Sequence, residues 1–149
     1  MPTPQETIQT QVKEALKAGD KDRLSTLRLL LAAIKNETIR AGEEVDEAGF
    51  LKLVRKAIKQ RKDSAEQYRK GDREELASKE EREAEILASY LPPQVDEEEL
   101  RSSIAALVES EGLAGPAAIG TIMKTMIAKY AGRTDGGTVN KIARKLLGV

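Results

Sequence analysis

Apolar side chains recur along this chain at steps of three and four, and no alternating stretch of strand type reaches a useful length. Thr3-Pro4-Gln5-Glu6 sets a capping hydroxyl three residues before a glutamate, with proline at the first helical position. Ile8, Val12 and Leu16 follow at four-residue steps before Gly19, which predicts a short helix. Asp20 opens a second, with Leu24, Leu27, Leu31, Ile34, Thr38 and Ala41 in one stripe up to Gly42. A third, from about Asp46 to Lys70, gathers Phe50, Leu51, Val54, Ala57, Ile58, Ala65 and Tyr68 on one arc and stops at Gly71. Asp72-Arg73-Glu74-Glu75 repeats the capping pattern and opens a fourth, to about Leu91, whose first half reads as solvated and whose nearest support is the third helix.

Pro92-Pro93 is the clearest break, because the first ring forces Leu91 out of helical geometry and both remove backbone donors. Beyond it, Asp96-Glu97-Glu98-Glu99 caps a helix with Leu100, Ile104, Leu107 and Val108 inward, up to Gly112. Gly115-Pro116 starts another, with Ile119, Ile122, Met123, Met126, Ile127 and Tyr130 on its inner side and Gly132 at its end. Thr134-Asp135 begins the last, which buries Val139, Ile142, Ala143, Leu146 and Leu147. The expectation is an all-α protein: a larger N-terminal four-helix domain over residues 1–92, with a projecting hairpin of helices three and four, and a small C-terminal three-helix tail domain over 93–149.

Composition narrows the chemistry. Of 149 residues, 40% are apolar but only 3% aromatic, and Cys, His and Trp are absent. That leaves no thiolate or imidazole for a soft metal, no disulfide, and no Cys nucleophile or Ser-His-Asp relay. No phosphate loop or dinucleotide fingerprint is present, so neither a cofactor nor a metal is expected. The longest apolar run, Leu29 to Ile34, is six residues, against the roughly 20 of a membrane-spanning helix. Met1 to Glu6 lacks the basic start and apolar stretch of a secretory signal, which sets a cytoplasmic location as the expectation.

Zero net charge conceals segregation. Residues 113–149 hold Lys124, Lys129, Arg133, Lys141, Arg144 and Lys145 against Asp135 alone, while the helix from Asp96 to Glu111 carries six carboxylates and one cation, Arg101. Such a basic segment marks a candidate nucleic-acid contact. Lys52, Arg55, Lys56, Lys59 and Lys62 form a second basic row on helix three, with the glutamates of helix four as its expected neutralising partner. Arg61 projects among Val54, Ala57, Ala65 and Tyr68, so it needs a carboxylate; Glu37 is the expected one. Pairs such as Glu80/Glu83 read as solvated, and Asp135 before Gly136-Gly137 reads as a helix cap rather than part of a phosphate site. Met123 and Met126 read as core filler. No catalytic residues emerge, and an enzyme is not expected.

Four segments in order, Asp20 to Arg28, Lys59-Gln60-Arg61-Lys62-Asp63-Ser64, Tyr90-Leu91-Pro92 before an acidic cap, and Asp135-Gly136 with Val139-Asn140, resemble the YqeY family, or GatB/YqeY domain. The resemblance spans essentially the whole chain and extends to the C-terminal region of the aminoacyl-tRNA amidotransferase B subunit. It implies a two-part helical accessory that touches the body of tRNA, the amidase and kinase chemistry belonging to other domains. Asn140 matches the family's Asn after the Asp-Gly pair and joins Lys124, Lys129, Arg133, Lys141, Arg144 and Lys145 as the implied nucleic-acid contacts. The chain departs from the family at Thr121, where relatives tend to carry a lysine. The rival reading is a protein-interaction module docking, through the hairpin, to a synthetase or amidotransferase subunit.

Overall fold

The computed structural model describes all 149 residues, which form seven α-helices and no strand. They are α1 (Pro4–Ala18), α2 (Lys21–Ala41), α3 (Glu47–Lys70), α4 (Glu74–Ala88), α5 (Glu97–Glu111), α6 (Ala118–Lys129) and α7 (Gly136–Leu147). None is long and apolar enough to cross a membrane. Two compact units, Met1–Leu91 and Pro92–Val149, each enclose an apolar core.

Five of the seven helices open on side chains the sequence marks. Thr3, Asp20, Asp46, Asp96 and Asp135 each accept a backbone N–H from the first turn that follows, which satisfies donors the helix itself leaves open. Between α3 and α4 the expectation fails. Asp72 does not cap α4; it takes the left-handed conformation, φ 58°, while Gly71, at the expected helix end, has φ −92°. There the Asp72 N–H donates to the Arg69 carbonyl at 3.2 Å and the Arg73 N–H to Tyr68 at 2.8 Å, a closure that fixes the hairpin turn. Glycine tolerates this conformation without the Cβ clash. Asp72→Gly is therefore expected to stabilise the protein by up to about 1 kcal/mol in urea titrations.

In the first unit, Ile8, Leu27, Leu30, Ile34, Phe50, Val54 and Leu87 are buried together. Ala15 replaces Leu16 as the last inward residue of α1, and Leu16 stays exposed; on a helical projection Leu16 lies about 80° from Ile8, off the buried stripe. The fourth helix stops at Ala88 rather than Leu91. Ser89, Tyr90 and Leu91 donate three residues back, to Ile86, Leu87 and Ala88, tightening the last turn before Pro92. This leaves Tyr90 to tie the unit together. Its ring meets Phe50 edge to face at 6.0 Å, its hydroxyl donates to Gln11 Oε1, and Arg23 Nη2 donates to it at 3.2 Å. Burial pushes the phenol's pKa up, against the pull of Arg23.

In the second unit, Leu100, Ile104, Ile119, Ile122, Met126, Tyr130, Val139, Ile142 and Ala143 form the core. Ile127 and Leu146, expected inward, remain exposed. Ile127 projects about 120° from the middle of α6's buried stripe, and Leu146 sits in the last turn of α7.

Candidate nucleic-acid interface

The C-terminal cations are positioned by α6, α7 and the turn between them. Asp135 starts α7 by accepting the Thr138 N–H at 2.7 Å and its hydroxyl at 3.2 Å, which occupies donors a phosphate would otherwise seek. Losing the cap, Asp135→Ala is expected to cost about 1 kcal/mol, read as a lower melting temperature. With Val139, Ile142 and Ala143 turned into the core, Asn140, Lys141, Arg144 and Lys145 share the outer side of α7, within about 140° on a helical projection. Arg144 Nε donates to Asn140 Oδ1 at 2.8 Å, and Asn140 Nδ2 points to the Met123 sulfur at 3.6 Å. Asn140 is thus braced between α6 and Arg144. Gly136 belongs to the same junction, since a Cβ there would lie 3.2 Å from Met123 Cε. Met123 therefore joins α6 to α7 and is only half-buried, while Met126 fills the core as expected. Lys124 follows on the exposed side of α6.

Lys129 and Arg133 do different work. Lys129 Nζ lies 5.3 Å from the centre of the Tyr130 ring and donates to Ser103 Oγ at 3.3 Å. The Arg133 guanidinium sits 5.9 Å from the same ring, and its Nε donates to the Pro93 carbonyl at 3.1 Å. The Arg133 carbonyl in turn accepts the Val95 N–H at 2.8 Å. These two cations bracket a buried tyrosine and fasten residues 93–95. On α6, Lys129 points about 140° away from Lys124. The structure thus brings Asn140, Lys141, Arg144 and Lys145 together beside the Met123 junction and sets Lys129 and Arg133 apart. No carboxylate pairs with Lys124, Lys141, Arg144 or Lys145; Glu97, Glu98 and Glu99 instead occupy the first turn of α5, where they complement the positive helix end.

In the first unit the ion pairs differ from those expected. Arg61 pairs with Glu83, Nε to Oε2 at 3.3 Å, not with Glu37, which is taken by Arg40. That pairing holds the Glu37 carboxyl below its ordinary range, with help from the charge of Lys56. The side chains of Arg61 and Glu83 are only 11% and 7% exposed, so the reading of Glu83 as solvated is also corrected. Burial raises the Glu83 pKa; Arg61 and Lys79 oppose the rise, and Glu80 and Asp22 add to it. Helical projection carried the missed signal, because Glu83 falls between Leu76 and Leu87 on the inward side of α4. Arg69 binds Glu74 at 2.9 Å and also Glu81. Neutralisation across the hairpin therefore runs through arginines, while Lys52, Lys56, Lys59 and Lys62 stay exposed. Two depressions, about 490 Å³ beside Arg69 and Glu81 and about 310 Å³ beside Asp46 and Lys52, are both open, and Glu83 lines neither. No group of three or more carboxylates is placed to hold a metal ion.

A family model described as Yqey-like protein matches residues 5–147. The chain belongs to the YqeY family. Among curated relatives, the mitochondrial protein named altered inheritance of mitochondria protein 41 of Lachancea thermotolerans is 38% identical over 104 residues, 68% of this chain and 56% of that protein. The protein of the same name from Vanderwaltozyma polyspora is 35% identical over 112 residues, 70% and 60% of the two chains. That from Pyrenophora tritici-repentis is 28% identical over 145 residues, 95% and 79%. The first two matches thus span less than two thirds of the relatives' own length. The expected cytoplasmic location is overturned by these YqeY relatives, all three named as mitochondrial.

Proposed function

We propose that this YqeY-family chain is a non-catalytic accessory module that binds tRNA, related in role to the tail of the tRNA-dependent amidotransferase B subunit. The observation that carries this reading is the set of exposed cations without ion pairs, Lys141, Arg144 and Lys145 on the outer side of α7 with the braced Asn140, and Lys124 on the exposed side of α6. Cations left unpaired on a helix face are free to replace the counterions of a phosphate backbone. With few aromatic side chains for stacking bases, the module reads shape and backbone rather than sequence. The rival reading, docking of the hairpin to a synthetase or amidotransferase subunit, rests on the exposed α3 lysines, and is weakened because Arg69 already engages Glu74 and Glu81.

Titration of labelled tRNA at several salt concentrations tests the proposal. About four phosphate contacts give a log–log slope between about −3 and −4. Absence of binding at low salt removes the reading.

A further inference from the structure

The outward side of α2 carries a pattern that folding of the first unit does not use. Ser25, Leu29, Ala32, Asn36 and Ile39 succeed one another at steps of four, three, four and three, opposite the buried Leu27, Leu30 and Ile34. That 3.5-residue repeat belongs to a seam between two helices. Leu29 is 56% exposed and Ile39 80%, and the two are about 15 Å apart along the axis. Along one flank, Lys21, Arg28 and Lys35 recur every seventh residue, all exposed and without a carboxylate partner. The other flank offers buried Thr26, half-buried Ala33, and Arg40, which is held by Glu37.

We propose that this face is a docking seam for an acidic amphipathic helix of a protein partner. Charge complementarity selects the occupant. A second copy packed antiparallel about a two-fold axis would set the basic column against itself; packed parallel, it would set the column against Thr26, Ala33 and Arg40. Neither arrangement supplies an acid. A lipid surface finds only two large apolar side chains, with Ser25 and Asn36 between and beside them, too little for stable insertion. The complement is a helix with apolar residues at three- and four-residue spacing and Asp or Glu along the flank facing the column. Asn36, in the middle of the seam, fixes its register. Two large apolar contacts and one charged flank describe a transient interface.

The test uses the full chain and two synthetic helical peptides. Both carry leucine at the seam positions and one central asparagine; one has glutamate on its flanks and the other lysine. The glutamate peptide is expected to bind, and the lysine peptide at least about tenfold more weakly, in fluorescence anisotropy titrations. Leu29→Glu with Ile39→Glu, both at exposed positions, is expected to weaken the glutamate peptide at least about tenfold with helix content unchanged. Lys21→Glu, Arg28→Glu and Lys35→Glu together are expected to reverse the preference between peptides. Equal or absent binding of the two peptides overturns the proposal. So does finding that the Leu29 and Ile39 changes dissolve a dimer in sedimentation, abolish binding to anionic vesicles, or weaken tRNA binding, since each outcome gives the face to another occupant.

Discussion

Replacing Arg61 with methionine is expected to lower the unfolding free energy by about 3 kcal/mol at neutral pH, because it strands Glu83 as an uncompensated buried charge. The pair itself is not well made. Arg61 Nε is buried without a directed hydrogen bond, although Glu83 Oε2 lies 3.3 Å away. The double change Arg61→Met with Glu83→Leu, which removes both charges and keeps volume, is therefore expected to restore most of the loss. The pH dependence separates this from simple loss of packing. Burial already holds the Glu83 pKa above its ordinary value, and Arg61 is the main force opposing that rise. Without Arg61 the folded-state pKa climbs further. A carboxyl whose folded pKa exceeds its unfolded value favours the folded state fully below the unfolded pKa, about 4.3, and ceases to do so as pH rises through the folded one. The single variant's deficit should thus be small near pH 4 and grow toward pH 7 in urea titrations. A deficit independent of pH would refute the electrostatic account.

Changing Lys141, Arg144 and Lys145 together to glutamine is expected to weaken tRNA binding by about 100-fold at low salt and to flatten the log–log slope to about −1. Glutamine keeps helix propensity close to that of lysine and arginine, so α7 should persist. Changing Lys129 and Arg133 instead should act mainly on stability, because those side chains hold Tyr130, Ser103 and Pro93. Similar losses of affinity from both sets would mean that Tyr130's neighbours also face the polynucleotide. No change from the triple variant would leave the α7 row without a role in binding.

The helices were legible in the sequence because capping is local chemistry. Thr3, Asp20, Asp46, Asp96 and Asp135 announce starts, and Gly19, Gly42 and Gly112 sit at ends in the left-handed conformation. The ambiguous case was Gly71-Asp72, where two adjacent residues could each supply the turn and only the tertiary path of the hairpin chooses. Arg61 was recognisable as buried from its own helix, but its partner was not. Glu37 looked available on α2, yet Arg40 three residues on captures it, and a run of charges masked the inward position of Glu83. For the interface, the sequence yielded the cations and the family pattern yielded Asn140. Helical periodicity puts Lys141, Arg144 and Lys145 on one side of α7, whereas the bracing of Asn140 at the α6–α7 junction with Met123 is a contact that charge counting does not contain.

Small side chains close the outer half of the α3–α4 hairpin: Ala65, Ala77 and Ala84 are its buried apolar residues beyond the large ones at Val54 and Leu87. Toward the turn, cohesion passes to the exposed cluster of Arg69 with Glu74 and Glu81, which salt weakens. Resistance to opening should therefore fall along the two helices, with amide protons near Val54 and Leu87 the slowest to exchange and those flanking Gly71 the quickest. In high salt, a protease should find its first cut there.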